Sequence, residues 1–194
     1  MYLMTYLVYP QIPIHTSVYH TYSHFCHYLF SVCKNFLKLC KVKYYNLNLF
    51  HSVQSNFIAQ TGSGVNSMDS NVKSGTGESV YKRLYGEQAM YFEGDLAPKI
   101  KHSKTGHLSM VNVGDNMFGS QFFITLDNDL DYLDGQGHCV FGEVVEGLEE
   151  IVQTFNETIC DSENIPYQDI RITHTVIVED PFEDPKVKRN NQAT

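Results

Sequence analysis

Gly119-Ser120-Gln121-Phe122-Phe123-Ile124-Thr125 sits at the centre of the most ordered text in the chain, and Gln121–Leu126 reads as a strand. On its N-terminal side stands Leu108-Ser109-Met110-Val111-Asn112-Val113-Gly114, with a strand over Leu108–Asn112. On its C-terminal side stand Tyr132-Leu133-Asp134-Gly135 and His138-Cys139-Val140-Phe141-Gly142-Glu143-Val144, with a strand over Cys139–Val144. Further out, Leu47–Val53 and Phe57–Thr61 are short apolar runs of strand type. Ile170–Val178 reads as a closing strand. Phe36, Leu37 and Cys40 share a helical face within Cys33–Cys40. Leu148, Ile151, Val152 and Phe155 do the same within Gly147–Glu157, with Glu149 and Glu150 outside. Gly62–Gly77 is a long loop rich in Gly, Ser and Asn. Many short strands with two helices indicate a mainly β barrel or sandwich with helical caps.

The chain has 194 residues, enough for one domain with a ragged end. With 42% apolar and 19% charged residues it supports one core and excludes a collagen, a coiled coil, a disulfide scaffold or a wholly disordered chain. A net charge of −8 argues against a surface built to neutralise phosphates, so no direct nucleic-acid site is expected. Five cysteines, odd and sparse, suggest free thiols in a reducing compartment.

The composition changes along the chain. Residues 1–50 hold Lys34, Lys38, Lys41 and Lys43 and no acid, so all 22 acids fall in residues 51–194. Residues 1–33 carry no formal charge and are crowded with Tyr and with His15, His20, His24 and His27. The expected partition is an atypical leader over 1–33, a domain over 34–180 and a charged tail over 181–194. The leader lacks the basic start of a signal peptide, and Pro10, Gln11, Pro13 and His15 interrupt any membrane span. No membrane role is expected. On a helix His20, His24 and His27 would share a face, with Cys26 beside them. Zinc accepts such donors, but the spacing matches no zinc signature, so no metal and no cofactor are expected.

Other catalytic signatures are absent from the sequence. There is no G-x-S-x-G elbow. Lys73-Ser74 lacks the glycine of a phosphate-binding loop, and Gly75-Thr76-Gly77 lacks the last glycine and the βαβ setting of a dinucleotide fingerprint. Asn156-Glu157-Thr158 is a formal glycosylation sequon, read as an unused helix end. No RNP-type aromatic motif is visible.

The segment Phe50-His51-Ser52-Val53-Gln54-Ser55-Asn56-Phe57-Ile58-Ala59-Gln60-Thr61-Gly62, with the three motifs around Gly119–Thr125, resembles the cyclophilin family of peptidyl-prolyl cis–trans isomerases. Lys34–Tyr45, Leu84–Gln88, Lys99–His102 and Pro166–Pro185 are similar to its isomerase-like 4 subfamily, whose isomerase domain precedes an RNA-recognition domain in nuclear proteins. The likeness covers about residues 34–185. It implies an eight-stranded antiparallel barrel with a helix capping each end. It also implies action on X–Pro bonds of peptides and proteins, by a monomer in the nucleus, with the cytoplasm as the other placement. By position it assigns catalytic roles to Phe57, Gln60, Phe123 and His138, and substrate contacts to Ile58, Val111, Asn112, Val113, Gln121, Tyr132 and Leu133.

The sequence departs from the family pattern in four places. Ser52 stands where the family carries its catalytic arginine, which the close subfamily also lacks, and no Arg or Lys occurs between Tyr44 and Val72. Tyr132 takes the place of an indole, and Gly137 is an extra residue before His138. The loop Ser63–Ser74 is longer than usual. The family's two opening strands have no counterpart pattern in residues 1–33. The barrel is therefore expected to be incomplete there, unless the leader supplies irregular substitutes or the chain is a truncated isoform. The sequence ends at Thr194, soon after Val178, so no RNA-recognition domain is expected. Two functions remain open at this point: a weak isomerase, or a proline-peptide binding module of a nuclear RNA-processing assembly that does not turn its ligand over.

Overall fold

The structure, a computed structural model, describes residues 29–63, 77–95 and 100–182, and residues 2–9 and 12–19 by their backbone. The strands are β1 (Tyr2–Tyr9), β2 (Ile12–Tyr19), β3 (Ser52–Gln54), β4 (Ile58–Thr61), β5 (Phe92–Glu93), β6 (His107–Asn112), β7 (Met117–Thr125), β8 (Cys139–Glu146) and β9 (Arg171–Ile177). The helices are α1 (Phe30–Lys41), the single turn α2 (Lys82–Tyr85) and α3 (Leu148–Asn156), with 3-10 turns at Glu87–Ala89 and Asp131–Gln136. The strands form one antiparallel sheet in the order β3-β4-β7-β6-β8-β2-β1-β9, and β5 pairs with β7.

The sheet path does not close as a regular ladder. Its ends, β9 and β3, are joined by residues 47–50. There the Leu47 N–H donates to Ile172 O at 2.6 Å and the Phe50 N–H to Ile170 O at 2.9 Å, and Asn48 O accepts from the Ile172 N–H at 3.0 Å. This corrects the strand expected over Leu47–Val53: β3 begins at Ser52, and Leu49 makes a single bridge to Arg171. Leu47 has a φ of 63°, a left-handed conformation outside the β region, so this end of the expected strand is not extended.

The backbone of residues 2–9 and 12–19 forms two strands, in a stretch where the sequence shows no strand pattern. Its two strands pair from Tyr2↔Tyr19 to Tyr9↔Ile12, β1 lies against β9, and β2 lies against β8. His20, His24, Cys26 and His27 lie outside the described residues, as does the loop over 64–76. Among the described residues no cluster of His, Cys, Asp and Glu gathers in a metal-holding group, and no helix is long and apolar enough to cross a membrane.

The core reaches past both expected boundaries. Leu29, Val32 and Cys33 are buried upstream of Lys34. Helix α1 is longer than Cys33–Cys40 and buries Val32, Cys33, Phe36, Leu37, Leu39 and Cys40. Its first turn holds no acid of its own. Asp95 supplies one from a distance: its carboxylate accepts the Ser31 N–H at 2.9 Å and the Ser31 hydroxyl at 3.0 Å, satisfying a free N–H at the positive end of the helix dipole. Near the other end, the Lys38 ammonium donates to Asp180 at 2.9 Å and to Phe182 O at 2.7 Å. Phe182 is buried and meets Phe30 edge-on at 5.1 Å, so the domain runs beyond 180. Residues 183–194 lie outside the described residues.

Phe36 joins Tyr45, Phe122 and Phe141 at ring separations of 5.1, 5.2 and 4.8 Å, in the middle of the main core. Gly62, at the end of β4, has a φ of 90°, and a Cβ there would come within 2.5 Å of Ser120 O. Only glycine lets the chain leave β4 this close to β7.

Candidate active site

Strand register places the site. Ser52 of β3 pairs with Gln60 of β4, Gln60 with Phe123 of β7, and Phe123 with Ser109 of β6. Directly opposed residues share a face. A row Ser52–Gln60–Phe123–Ser109 therefore crosses four strands on one side of the sheet. The other side carries Val53, Ala59, Phe122 and Ile124 into the main core.

On the site side, Ile58, Phe123, Leu130 and Leu133 form a second buried cluster, with Phe57 and Val111 packed against it. Phe57 stacks on Tyr132 at 5.6 Å and 25°. Tyr132 is 59% exposed, so this stacked pair forms the wet edge of an apolar floor. The Leu126 N–H donates to Phe57 O and the Leu130 N–H to His102 O, which ties the loops on either side to the cluster.

The polar side of the row is neutral. Gln60 Nε2 donates to Gln121 Oε1 at 2.7 Å, leaving one amide hydrogen and the oxygen of Gln60 unused by that bond. Ser52 lies on the partly covered strand next to it, and the sequence holds no Lys or Arg from Tyr44 to Ser63. His138 meets the Phe123 ring edge-on at 5.2 Å. Its Nδ1 accepts the Asn112 backbone N–H at 3.1 Å, so Nε2 carries the hydrogen and points it at Gln136 Oε1, 3.1 Å away. Gly137, at a φ of 77°, closes the 3-10 turn of 131–136 and brings His138 back to β6; the extra residue is absorbed there.

Of the residues singled out by sequence, Phe57, Ile58, Gln60, Val111, Asn112, Gln121, Phe123, Tyr132, Leu133 and His138 come together. Two are placed differently from a simple ligand contact. Asn112 uses its side chain internally: Nδ2 donates to Gln136 O at 3.0 Å, and Oδ1 accepts the Gly114 N–H at 3.1 Å. One hydrogen and one lone pair remain beyond these two bonds. Val113 is 44% exposed on the turn after β6, outside the buried cluster.

The sequence alone gives no role to His102, Asp134 or Leu130. Leu130 completes the floor. His102 is fully buried and stacks on Phe123 at 5.7 Å and 24°. No local spacing pattern marks His102 and Asp134 as partners, because they lie far apart along the chain.

The match to known proteins is extensive. The family described as cyclophilin type peptidyl-prolyl cis-trans isomerase/CLD matches residues 30–177. The chain belongs to this family. It is 56% identical over 153 residues to a mouse (Mus musculus) protein named peptidyl-prolyl cis-trans isomerase-like 4, which covers 79% of this chain and 30% of the relative. It is 54% identical over 150 residues to peptidyl-prolyl cis-trans isomerase sig-7 of Caenorhabditis elegans, covering 77% of this chain and 33% of the relative. The chain thus spans about a third of the length of these relatives. A cyclophilin-type isomerase of Cryptosporidium parvum, solved in the presence of the dipeptide Ala-Pro, superposes with a TM-score of 0.72 at 28% identity. That match covers 93% of this chain and all of the other. The mainly β cyclophilin fold and the subfamily likeness are thereby established.

Proposed function

We propose that this cyclophilin domain binds proline-containing peptide segments at the Phe123 floor and catalyses cis–trans rotation of the X–Pro bond. The carrying observation is the row across four strands, in which an apolar floor lies directly beside the Gln60–Gln121 amide pair.

Rotation about a C–N bond crosses a barrier of about 18–20 kcal/mol set by amide resonance. No covalent bond to the substrate has to form. The task is to hold the pyrrolidine ring, fix the carbonyls on either side, and place donors where resonance is lost as the nitrogen pyramidalises. Ile58, Phe123 and Leu133 offer the ring an apolar seat. The remaining amide hydrogen of Gln60 and the remaining capacity of Asn112 suit flanking backbone, and His138 stands at the rim. The donors near the row are neutral, because Ser52 occupies the place of a cation. Slow turnover is therefore part of this reading.

The test is exchange NMR on an Ala-Pro-containing peptide with and without the full chain. Uncatalysed exchange takes about 10–100 s at 25 °C. Faster exchange supports the enzyme. Peptide binding without faster exchange overturns it and leaves a second reading, a proline-peptide binding module, which the neutral Ser52 position favours. Under both readings the resemblance to the isomerase-like 4 subfamily supports nuclear, RNA-processing partners. Imaging of the tagged protein tests that placement.

A further inference from the structure

Beneath the floor lies a chain of three polar groups with no part in the function proposed above. Asp134 Oδ1 lies 2.6 Å from His102 Nδ1, and His102 Nε2 lies 2.8 Å from Ser109 Oγ. The same carboxylate oxygen accepts the His102 backbone N–H at 3.1 Å. These are the spacings of a hydrolase triad. The environment is not that of one: Ser109 and His102 are both fully buried, and Ser109 stands directly opposite Phe123 in the sheet. An oxygen sealed there reaches no carbonyl substrate.

We propose that His102 and Asp134 are positioning residues of the candidate site. They lock the Phe123 floor and the 131–136 rim turn into one register. This rests on the reading of that site as the proline-peptide site. Each partner of the imidazole belongs to a different part. Its face lies on Phe123, its Nε2 edge holds β6 through Ser109, and its Nδ1 edge holds the turn that carries Tyr132, Leu133 and, through Gln136, the contact to His138. Asp134 Oδ1 already accepts the His102 backbone N–H, so the imidazole Nδ1 donates to the same oxygen and the ring orientation is fixed. No other side chain offers a flat face for stacking and two hydrogen-bonding atoms at opposite edges of the ring. Phe would stack and leave Ser109 and Asp134 unpaired. Asn or Gln would keep one edge and lose the face.

The experiment measures melting temperature, peptide Kd, kcat and KM in the full chain for His102→Phe, Asp134→Ala and Asp134→Asn, with NMR line shapes of labelled Phe rings. Expected are cooperative melts with a fall in kcat of roughly 10- to 100-fold, the scale of an ångström misplacement. KM changes less, and one Phe signal broadens or shifts in His102→Phe and Asp134→Ala. Asp134→Asn keeps an acceptor for Nδ1 and restores most of the rate. A drop in melting temperature with kcat, KM, Kd and ring signals unchanged at low temperature overturns the proposal, because that is what a purely structural role predicts. If His102→Phe does not fold, Asp134→Ala decides, since its side chain is 29% exposed. If the native chain binds peptide without turnover, the catalytic reading fails by itself. The proposal then stands or falls on whether Asp134→Ala weakens peptide Kd and perturbs the Phe signal.

Discussion

Phe122 and Phe123 are neighbours in β7, 4% and 1% exposed, and they serve opposite sides of one sheet. Phe122 packs edge-on to Phe36, Tyr45 and Phe141 at 5.2, 5.4 and 6.4 Å, in a cluster that is nearly all ring and aliphatic surface. Phe123 lies between His102 and His138, opposite Gln60 and Ser109, in a cluster of four buried residues. Residue type and burial are the same. What differs is the company: one ring fills a dry core, the other is a floor ringed by hydrogen-bonding groups. Equal burial therefore does not mean equal purpose, and the two faces should respond differently to substitution.

The largest expected difference is in stability. Phe122→Ala leaves a cavity in the main core and should cost about 3–5 kcal/mol. That is a large share of the roughly 5–15 kcal/mol that holds a domain together. Denaturant melts measure it. A loss well short of that range would mean that the aromatic cluster is not the interlocked unit its distances describe.

On the other face, Ser52→Arg should leave stability nearly unchanged, since Ser52 is only partly covered on an end strand. It should raise kcat/KM, by up to roughly 10²-fold if the guanidinium recovers what a well-aimed donor contributes. No gain in a folded variant breaks the idea that the missing cation limits the site.

A smaller effect concerns the rim. The family resemblance implies that cyclosporin is held partly by an indole N–H, which Tyr132 lacks. The native chain should bind cyclosporin weakly, and Tyr132→Trp should tighten it about tenfold, the worth of one hydrogen bond. Calorimetry that finds tight binding to the unmodified chain would show that the stacked Phe57–Tyr132 pair already makes an equivalent rim.

The smallest effect is one of pH. Burial holds His51 and His107 below their ordinary value of 6.5, and the Nδ1 of each is buried without a hydrogen-bond partner. Below pH 6.5 the unfolded chain takes up protons that the folded chain resists. Stability is thus fully present above that pH and declines as the pH falls toward the depressed folded values. The melting temperature should drop between pH 7.5 and 5.5. His107→Leu, which puts an apolar group in the same buried place, should flatten the decline. An unchanged slope would remove His107 from this account.

Much of the fold was legible in local chemistry. Alternation and apolar runs located β4, β6, β8 and β9 to within one or two residues, and β7 by its C-terminal part. The helical spacing of Leu148, Ile151 and Phe155 located α3. The candidate residues Phe57, Gln60, Phe123 and His138 were singled out by their positions in family-like strings, and the fold gathers them around one floor. The start of β3 was not legible, because an apolar run over Leu47–Val53 does not reveal that its first half bonds to β9 and only its last part pairs with β4.

Other features depend on partners far away in the chain. The pairing of residues 2–9 and 12–19 rests on β8 and β9, which come near the other end of the sequence. The N-terminus of α1 is satisfied by Asp95 across 64 positions, and its C-terminal half by Asp180 across 142. His102, Asp134 and Ser109 are ordinary polar residues until the sheet brings them together. A side-chain period of two or 3.6 is a property of neighbouring residues, so a single sequence displays it. A hydrogen bond needs its donor and acceptor within about 3 Å, and along this chain only the folded path of the sheet brings such distant groups that close.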